Sequence, residues 1–387
     1  MRRVRVAHVI TRLCKGGAQE NTVQTVKLAD RARFDVDLIA GYTREEEPNI
    51  EDTALAGAIA IIRVPHLVRN PSPRKDWAAY RELTDIFRNG RYDIVHTHTS
   101  KAGYLGRLAA AKAGVPIIFH TPHGHIFFGY FNRALTALYT RLERHAARKT
   151  DCLIALTRRG IEEHLAHSVG RPDQWVPVFS GIDLAPFDHA IAQREATRAA
   201  LGIGPNEILI GAVGRLEPVK GFAYFVDASL LVAEASESAR FILVGDGALR
   251  AELESRAKPL GTRFQFLGMR DDVPELMAAM DICVVPSLNE GMGRVILEAG
   301  AAGTPVVASR VGGIPEIVQE PATGLLVRPR DATGISSAAL SLVHSAERRA
   351  RMGSAARGHA RGYSLASMVE KIESLYDNFV REKLRDA

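Results

Sequence analysis

Only three cysteines occur in the 387 residues, Cys14, Cys152 and Cys283. Their odd number and wide separation exclude a disulfide framework and a CxxC metal pair, and they point to a reducing compartment. No apolar run approaches the ~18 residues that a membrane-spanning helix needs. The opening "MRRVRVAHVITRL" sets arginines ahead of apolar residues, but His8 and Arg12 interrupt the run. It therefore reads as a strand and not as a secretion signal, and the expectation is a cytoplasmic protein. Aromatics make up only 6% and no recognition motif appears, which argues against nucleic-acid binding. Low-complexity tracts and solenoid-period repeats are also lacking.

Positive charge is present but uneven. The net charge is +6; residues 1–180 hold 27 Lys and Arg against 18 Asp and Glu, and the remainder holds 23 against 26. The first half either faces an anionic partner or is simply well solvated.

The length exceeds a usual single core, so two domains are expected. In the first half, β-branched runs ("RVAHVI", "DVDLIA", "YDIVHTHT", "VPIIFHT", "DCLIALT") alternate with helical patterns such as "WAAYRELTDIFRNG". That alternation predicts a parallel sheet with crossover helices, whose ligands bind at the strands' carboxyl ends. The pattern lapses around 178–188, read as a linker, and resumes with "EILIGAVG", "ARFILVGD", "RFQFLG", "DICVVPS" and "TPVVAS". The expected fold class is α/β, two doubly wound Rossmann-like domains facing each other across a cleft. The domains are residues 1–180 and 181–363, with an amphipathic C-terminal helix, 364–387, returning over the first. That helix presents Met368, Ile372, Leu375, Tyr376 and Phe379 at helical spacing.

Two glutamates, Glu290 and Glu298, flank a glycine-rich turn in "EGMGRVILE". Glu290 is expected in the loop after the strand "DICVVPS", and Glu298 about one and a half turns into the next helix. Gly291 and Gly293 lie between, where bare N–H groups at a helix N-terminus can hold an anion. In "GAVGRLEPVKGF", Arg215 and Lys220 follow another strand. An arginine fork and a mobile lysine charge together suit a diphosphate.

These motifs, with "RLCKGGAQENTV", "VHTHTSKAGYLGRLAA", "TPHGHIFFG", "FILVGDGALR" and "LGMRDDVPELMAAMDICVVPS", make the sequence resemble family 4 glycosyltransferases over essentially its whole length. The resemblance implies the GT-B fold and a retaining, metal-independent, hexosyltransferase-type enzyme that uses a nucleotide-sugar donor, UDP before GDP. It also implies roles. Arg215 and Lys220 would hold the donor diphosphate, and Glu290 would bind hydroxyls of the transferred sugar, in a site lined by Gly291, Met292, Gly293 and Arg294. Glu298 would take the ribose. Gly268, Met269 and Arg270 would lie by the base, Gly16 and Gly17 would close on the diphosphate, and His123 would be the catalytic-site histidine.

Five histidines, His96, His98, His120, His123 and His125, crowd a short span, which raises a metal-dependent hydrolase as a rival. Only Asp93 stands near them as a carboxylate, so local hydrogen bonding is the preferred reading. Asp35-Val36-Asp37 spells D-x-D, but its place at the start of an early strand suggests a solvated edge and no metal site. No cofactor is expected. An epimerase and a non-catalytic nucleotide-sugar-binding module are further alternatives; retention of both His123 and the glycine-flanked site favours transfer.

The acceptor is less legible. Residues 127–149 mix aromatics and leucines with Arg133, Arg141, Arg144, Arg148 and Lys149. This is either a crossover helix or a basic amphipathic helix that touches an anionic membrane peripherally. The resemblance adds a lipid-linked saccharide acceptor for surface polysaccharide synthesis.

Overall fold

A computed structural model describes residues 2–44, 49–51, 59–124 and 132–385. The chain divides into two compact units, residues 1–181 with 365–387, and residues 182–364. Each is built on one wholly parallel sheet.

The first sheet contains β1 (Val4–Ile10), β2 (Phe34–Ala40), β3 (Ile61–Arg63), β4 (Ile94–His98), β5 (Ile117–Thr121), β6 (Cys152–Ala155) and β7 (Trp175–Pro177). Their order is β3-β2-β1-β4-β5-β6-β7. The second contains β8 (Ile208–Val213), β9 (Ala239–Val244), β10 (Phe264–Gly268), β11 (Ile282–Val285), β12 (Val306–Ser309) and β13 (Gly324–Val327), ordered β10-β9-β8-β11-β12-β13. Central strands such as β4, β5 and β11 are buried along their whole length, because helices cover both faces of a parallel sheet. In each sheet the order reverses beside the first strand, between β1 and β4 and between β8 and β11. Connections there leave in opposite directions, and the loops part to form a crevice at the strands' carboxyl ends.

The C-terminal helix Leu365–Val380 belongs to the first unit. Its Met368, Val369, Ile372, Tyr376 and Val380 are buried in the core formed by β1, β2, β4 and β5, with Leu375 and Phe379 packed at the margin. In the stretch read as a linker, residues 185–192 are instead helical; Pro186 sits at the start of that turn, where its missing N–H costs nothing.

Asp35 and Asp37 lie on the part of β2 that β1 alone pairs, since β3 meets only Leu38–Ala40, and their side chains are 44% and 26% exposed. Arg5 on the neighbouring strand pairs with both, at 3.4 and 3.3 Å, and the Tyr92 hydroxyl donates to Asp37 at 2.7 Å. The two carboxylates are held by an arginine and a phenol of their own unit. The three cysteines are free thiols, and burial pushes those of Cys152 and Cys283 up to about 12.

Candidate functional site

In the second unit the candidate residues gather on the loops leaving β8 and β11, at the strand-order reversal. After β8 the chain makes a turn of 3-10 helix, Pro218–Lys220, closed by Gly221 in the left-handed region at φ 66°. A Cβ on Gly221 would collide with the Pro286 carbonyl, so a glycine is what lets the two loops touch. A backbone bond from Leu288 N–H to the Val219 carbonyl, 2.8 Å, ties them together.

This seam joins two of the candidates. The Lys220 ammonium donates to Glu290 Oε1 at 2.6 Å, and the Ser287 hydroxyl donates to the same oxygen at 2.8 Å. Both side chains are partly shielded, the lysine 28% and the glutamate 12% exposed, so their charges interact in a setting less screened than open water. The pair fixes Lys220 beside the loop whose glycines precede helix Arg294–Ala301. Gly293 caps that helix at φ 83°, the conformation glycine adopts most freely, and the N-terminal N–H groups there favour an anion.

Glu298 lies one turn into this helix, nearer its start than the sequence suggests, because the helix begins after Gly293 and not at it. It is 3.4 Å from Arg294. Met292 is buried beside the turn. Arg215 is not joined to the Lys220–Glu290 pair: its side chain is 66% exposed and sits 3.2 Å from Glu217. At the end of β10, Gly268 adopts φ 67° and its carbonyl accepts from Gly245 N–H at 2.8 Å. Met269 is half-exposed, and Arg270 is paired with Asp272 at 2.7 Å, which anchors its guanidinium to its own loop.

In the first unit, Gly16 caps helix Gly17–Leu28 in an extended conformation, its carbonyl accepting from Glu20 N–H at 3.0 Å. His123 follows β5 with φ 61°, and Thr99 follows β4 with φ 63°. Non-glycine residues seldom take this conformation, and such strain concentrates at functional sites. The Nε2 of His123 lies 2.9 Å from Nδ1 of His98. His125 and residues 127–131 of the basic segment fall outside the described residues.

The histidine cluster has a member that sequence reasoning missed. His8 of β1 lies beside His96 and His98 of β4, with ring nitrogens within 4.8 Å of one another. Burial holds His8 down to about 3 and keeps His96, His98 and His120 well below the usual histidine range, so all four are neutral at physiological pH. A cation between His8, His96 and His98 would have to displace existing protein hydrogen bonds. His8 bonds His98 and Tyr376, His96 bonds Tyr376 and Thr121, and His98 bonds His8 and His123. His8 escaped notice because one histidine in a β-branched strand reads as an interruption, and only strand register (His8 opposite His96) reveals the cluster.

Comparison with known proteins bears on the family and the fold. A model of Glycosyltransferase Family 4 matches residues 15–186, and one of Glycosyl transferases group 1 matches residues 207–345. The chain is 31% identical over 386 residues to UDP-Gal:alpha-D-GlcNAc-diphosphoundecaprenol alpha-1,3-galactosyltransferase of Escherichia coli, covering 98% of each. It is 32% identical to D-inositol 3-phosphate glycosyltransferase of Corynebacterium efficiens, over 93% of this chain and 90% of that one. Among solved structures, Anabaena HepE in complex with UDP aligns with a TM-score of 0.81 at 23% identity, covering 97% of this chain and 100% of that one. At that identity the likeness is one of fold, the GT-B arrangement of two Rossmann-like domains.

Proposed function

Since the chain belongs to glycosyltransferase family 4 and is a nucleotide-sugar-dependent glycosyltransferase, we propose that it moves a hexose from a UDP-sugar to a hydroxyl of a lipid-diphosphate-linked saccharide, with retention of configuration. The observation that carries this reading is the Lys220–Glu290 pair beside the N-terminus of helix Arg294–Ala301. A cation, an acceptor for sugar hydroxyls and an anion-binding turn lie near one another there, and a sugar diphosphate needs each of them.

In this mechanism the bond between the anomeric carbon and the diphosphate oxygen breaks as positive charge develops on the sugar. Its electron pair leaves with the diphosphate, and Lys220 and Arg215, with the helix N-terminus, stabilise that negative charge. Glu290 accepts from hydroxyls of the sugar and Glu298 from the ribose. The acceptor hydroxyl oxygen bonds to the anomeric carbon on the face the diphosphate left, and its proton passes to a departing phosphate oxygen. Protein cations and the helix end neutralise the diphosphate, so no divalent cation is required.

The acceptor class follows the Escherichia coli relative, whose name specifies a diphosphoundecaprenol-linked sugar. A peripheral contact with an anionic membrane is part of the same reading. Helix Arg133–Ala147 exposes Leu135 and Leu138 beside Arg133 and Arg141, while it buries only Thr140, Ala146 and Ala147.

A panel of UDP-sugars, incubated with a lipid-diphosphate-linked N-acetylhexosamine in anionic vesicles, tests the proposal. One UDP-sugar should give a glycosylated lipid whose anomeric configuration, read by NMR at early times, matches the donor's. Excess EDTA should leave the rate unchanged within about twofold, and the enzyme should sediment with the vesicles at low salt. An inverted product would overturn retention, and loss of activity in EDTA would overturn metal independence.

A further inference from the structure

In the first unit, helices Arg133–Ala147 and Arg158–Ala166 end where β6 and β7 begin, at the opposite end of the sheet from its crevice. A cavity of about 460 Å³ lies there, within the size range of small-molecule sites. Arg144 and Arg148 line it from the first helix end, Ser168, Gly170 and Arg171 from the loop after the second, and Gln174 from the turn before β7.

The chain itself fixes the walls. Gln174 is buried; its amide donates to the Ala147 and Thr150 carbonyls at 3.2 and 2.7 Å, and its Oε1 accepts from Arg171 N–H at 2.9 Å. The loop before it turns through Ser168 and Gly170, at φ 55° and 73°. It lies so close on the sheet that a Cβ on Gly170 would collide with Leu153 and the Trp175 indole. That indole N–H donates to the Val169 carbonyl at 3.0 Å. A cavity built in this way needs little ordering when a ligand enters.

Arginines at a helix C-terminus ordinarily serve its carbonyls. Arg144 does so with one nitrogen: its Nε donates to the His167 carbonyl at 2.7 Å, which leaves its two terminal nitrogens. Capping does not account for Arg148. The Ala146 carbonyl accepts from the Thr150 hydroxyl and the Ala147 carbonyl from Gln174, and the Arg148 guanidinium bonds to nothing among the described residues. Arg171 meets Asp173 at 3.2 Å, the one carboxylate paired with any of the three among the described residues. The cavity thus carries more positive charge than its own carboxylate neutralises. Guanidinium forks bind phosphate oxygens in bidentate pairs. A phosphate monoester offers three acceptor oxygens and nearly two negative charges at neutral pH, enough for three arginines at once.

We propose that this cavity binds a phosphate monoester, with Arg144, Arg148 and Arg171 on its phosphate group. It is a second anion site, at the other end of the strands from the crevice, and it does not depend on the sugar-transfer reading. The same phosphate chemistry is presented by a small phosphorylated sugar and by the headgroup of phosphatidic acid.

The chain has two tryptophans, Trp77 and Trp175, and the second lies beneath the cavity-lining Gly170, so its indole N–H is a local reporter. The full-length protein is labelled with 15N-tryptophan, and the two indole signals are assigned by the loss of one in Trp77→Phe. Titrated with glucose 6-phosphate at constant ionic strength, the Trp175 signal should shift saturably, while glucose leaves it in place. Arg148→Ala combined with Arg171→Ala should weaken this binding at least about tenfold. If melting curves show that the double variant does not fold, Arg148→Ala alone serves. Sedimentation with phosphatidylcholine vesicles containing phosphatidic acid separates the two sources. A Trp175 signal that ignores glucose 6-phosphate, with vesicle binding at least about fivefold weaker in the variant, assigns the site to the lipid headgroup. A Trp175 shift of equal affinity in wild type and variant would overturn the proposal. So would an unmoved signal together with vesicle binding that is absent from both proteins or equal in them.

Discussion

Alanine at Lys220 should lower turnover by about 10- to 150-fold, and Arg215→Ala should do the same, with the fold intact in both. A charge-assisted hydrogen bond contributes about 1.5–3 kcal/mol. Where it strengthens as the leaving diphosphate gains charge, its loss falls on the chemical step, and each 1.36 kcal/mol is tenfold in rate. The two variants should differ in detail. Lys220 is already tied to Glu290, so its removal also releases the carboxylate proposed to hold the sugar, leaving Ser287, among the described residues, on that oxygen. Arg215 is 66% exposed beside Glu217 and has to swing onto the ligand. Lys220→Ala should therefore raise KM for the donor as well as lower kcat, whereas Arg215→Ala should act chiefly on kcat. Steady-state kinetics, with melting curves as a control for folding, check this.

The second large effect is on stability. Arg107, in helix Ser100–Ala113, has a side chain with no exposed surface, and its guanidinium meets the Glu143 carboxylate at 2.6 Å and the Gly103 carbonyl at 2.7 Å. Glu143→Ala would leave a buried cation with one carbonyl for a partner. Breaking such a pair costs about 3–5 kcal/mol. For a unit of this size that lowers the melting temperature by on the order of 10 °C. Replacing both partners, Arg107→Met with Glu143→Leu, should recover most of the loss, because no unpaired charge remains. Calorimetry on the single and double variants reads both outcomes. A single variant as stable as the wild type would mean that Arg107 is solvated without Glu143.

The two sheets were legible in the sequence because strand and helix periodicities alternate cleanly and buried parallel strands are almost wholly apolar. Lys220 and Glu290 were legible as candidates for a local reason: each sits on a short loop between a strand and a helix, beside glycines. Their direct contact was not legible, since it depends on β8 and β11 being neighbours although β9 and β10 intervene in the chain. The same limit hid His8. Its partners, His98 and Tyr376, come from another strand and from the C-terminal helix Leu365–Val380. For Asp35 and Asp37, alternation reports the face they share but not what the adjacent strand sets against it, here Arg5. Arg107 is a comparable case: an arginine in an alanine-rich helical pattern suggests a surface, and only the pairing with Glu143 makes its burial tolerable.

The account depends most on a diphosphate being held by the loops after β8 and β11. Calorimetric titration of UDP into the wild type and into Lys220→Ala tests this without a known acceptor or sugar. Saturable one-to-one binding by the wild type, weakened at least about tenfold in the variant, is the predicted result. Equal affinity in the two proteins would contradict it, and so would failure of the wild type to bind any nucleoside diphosphate.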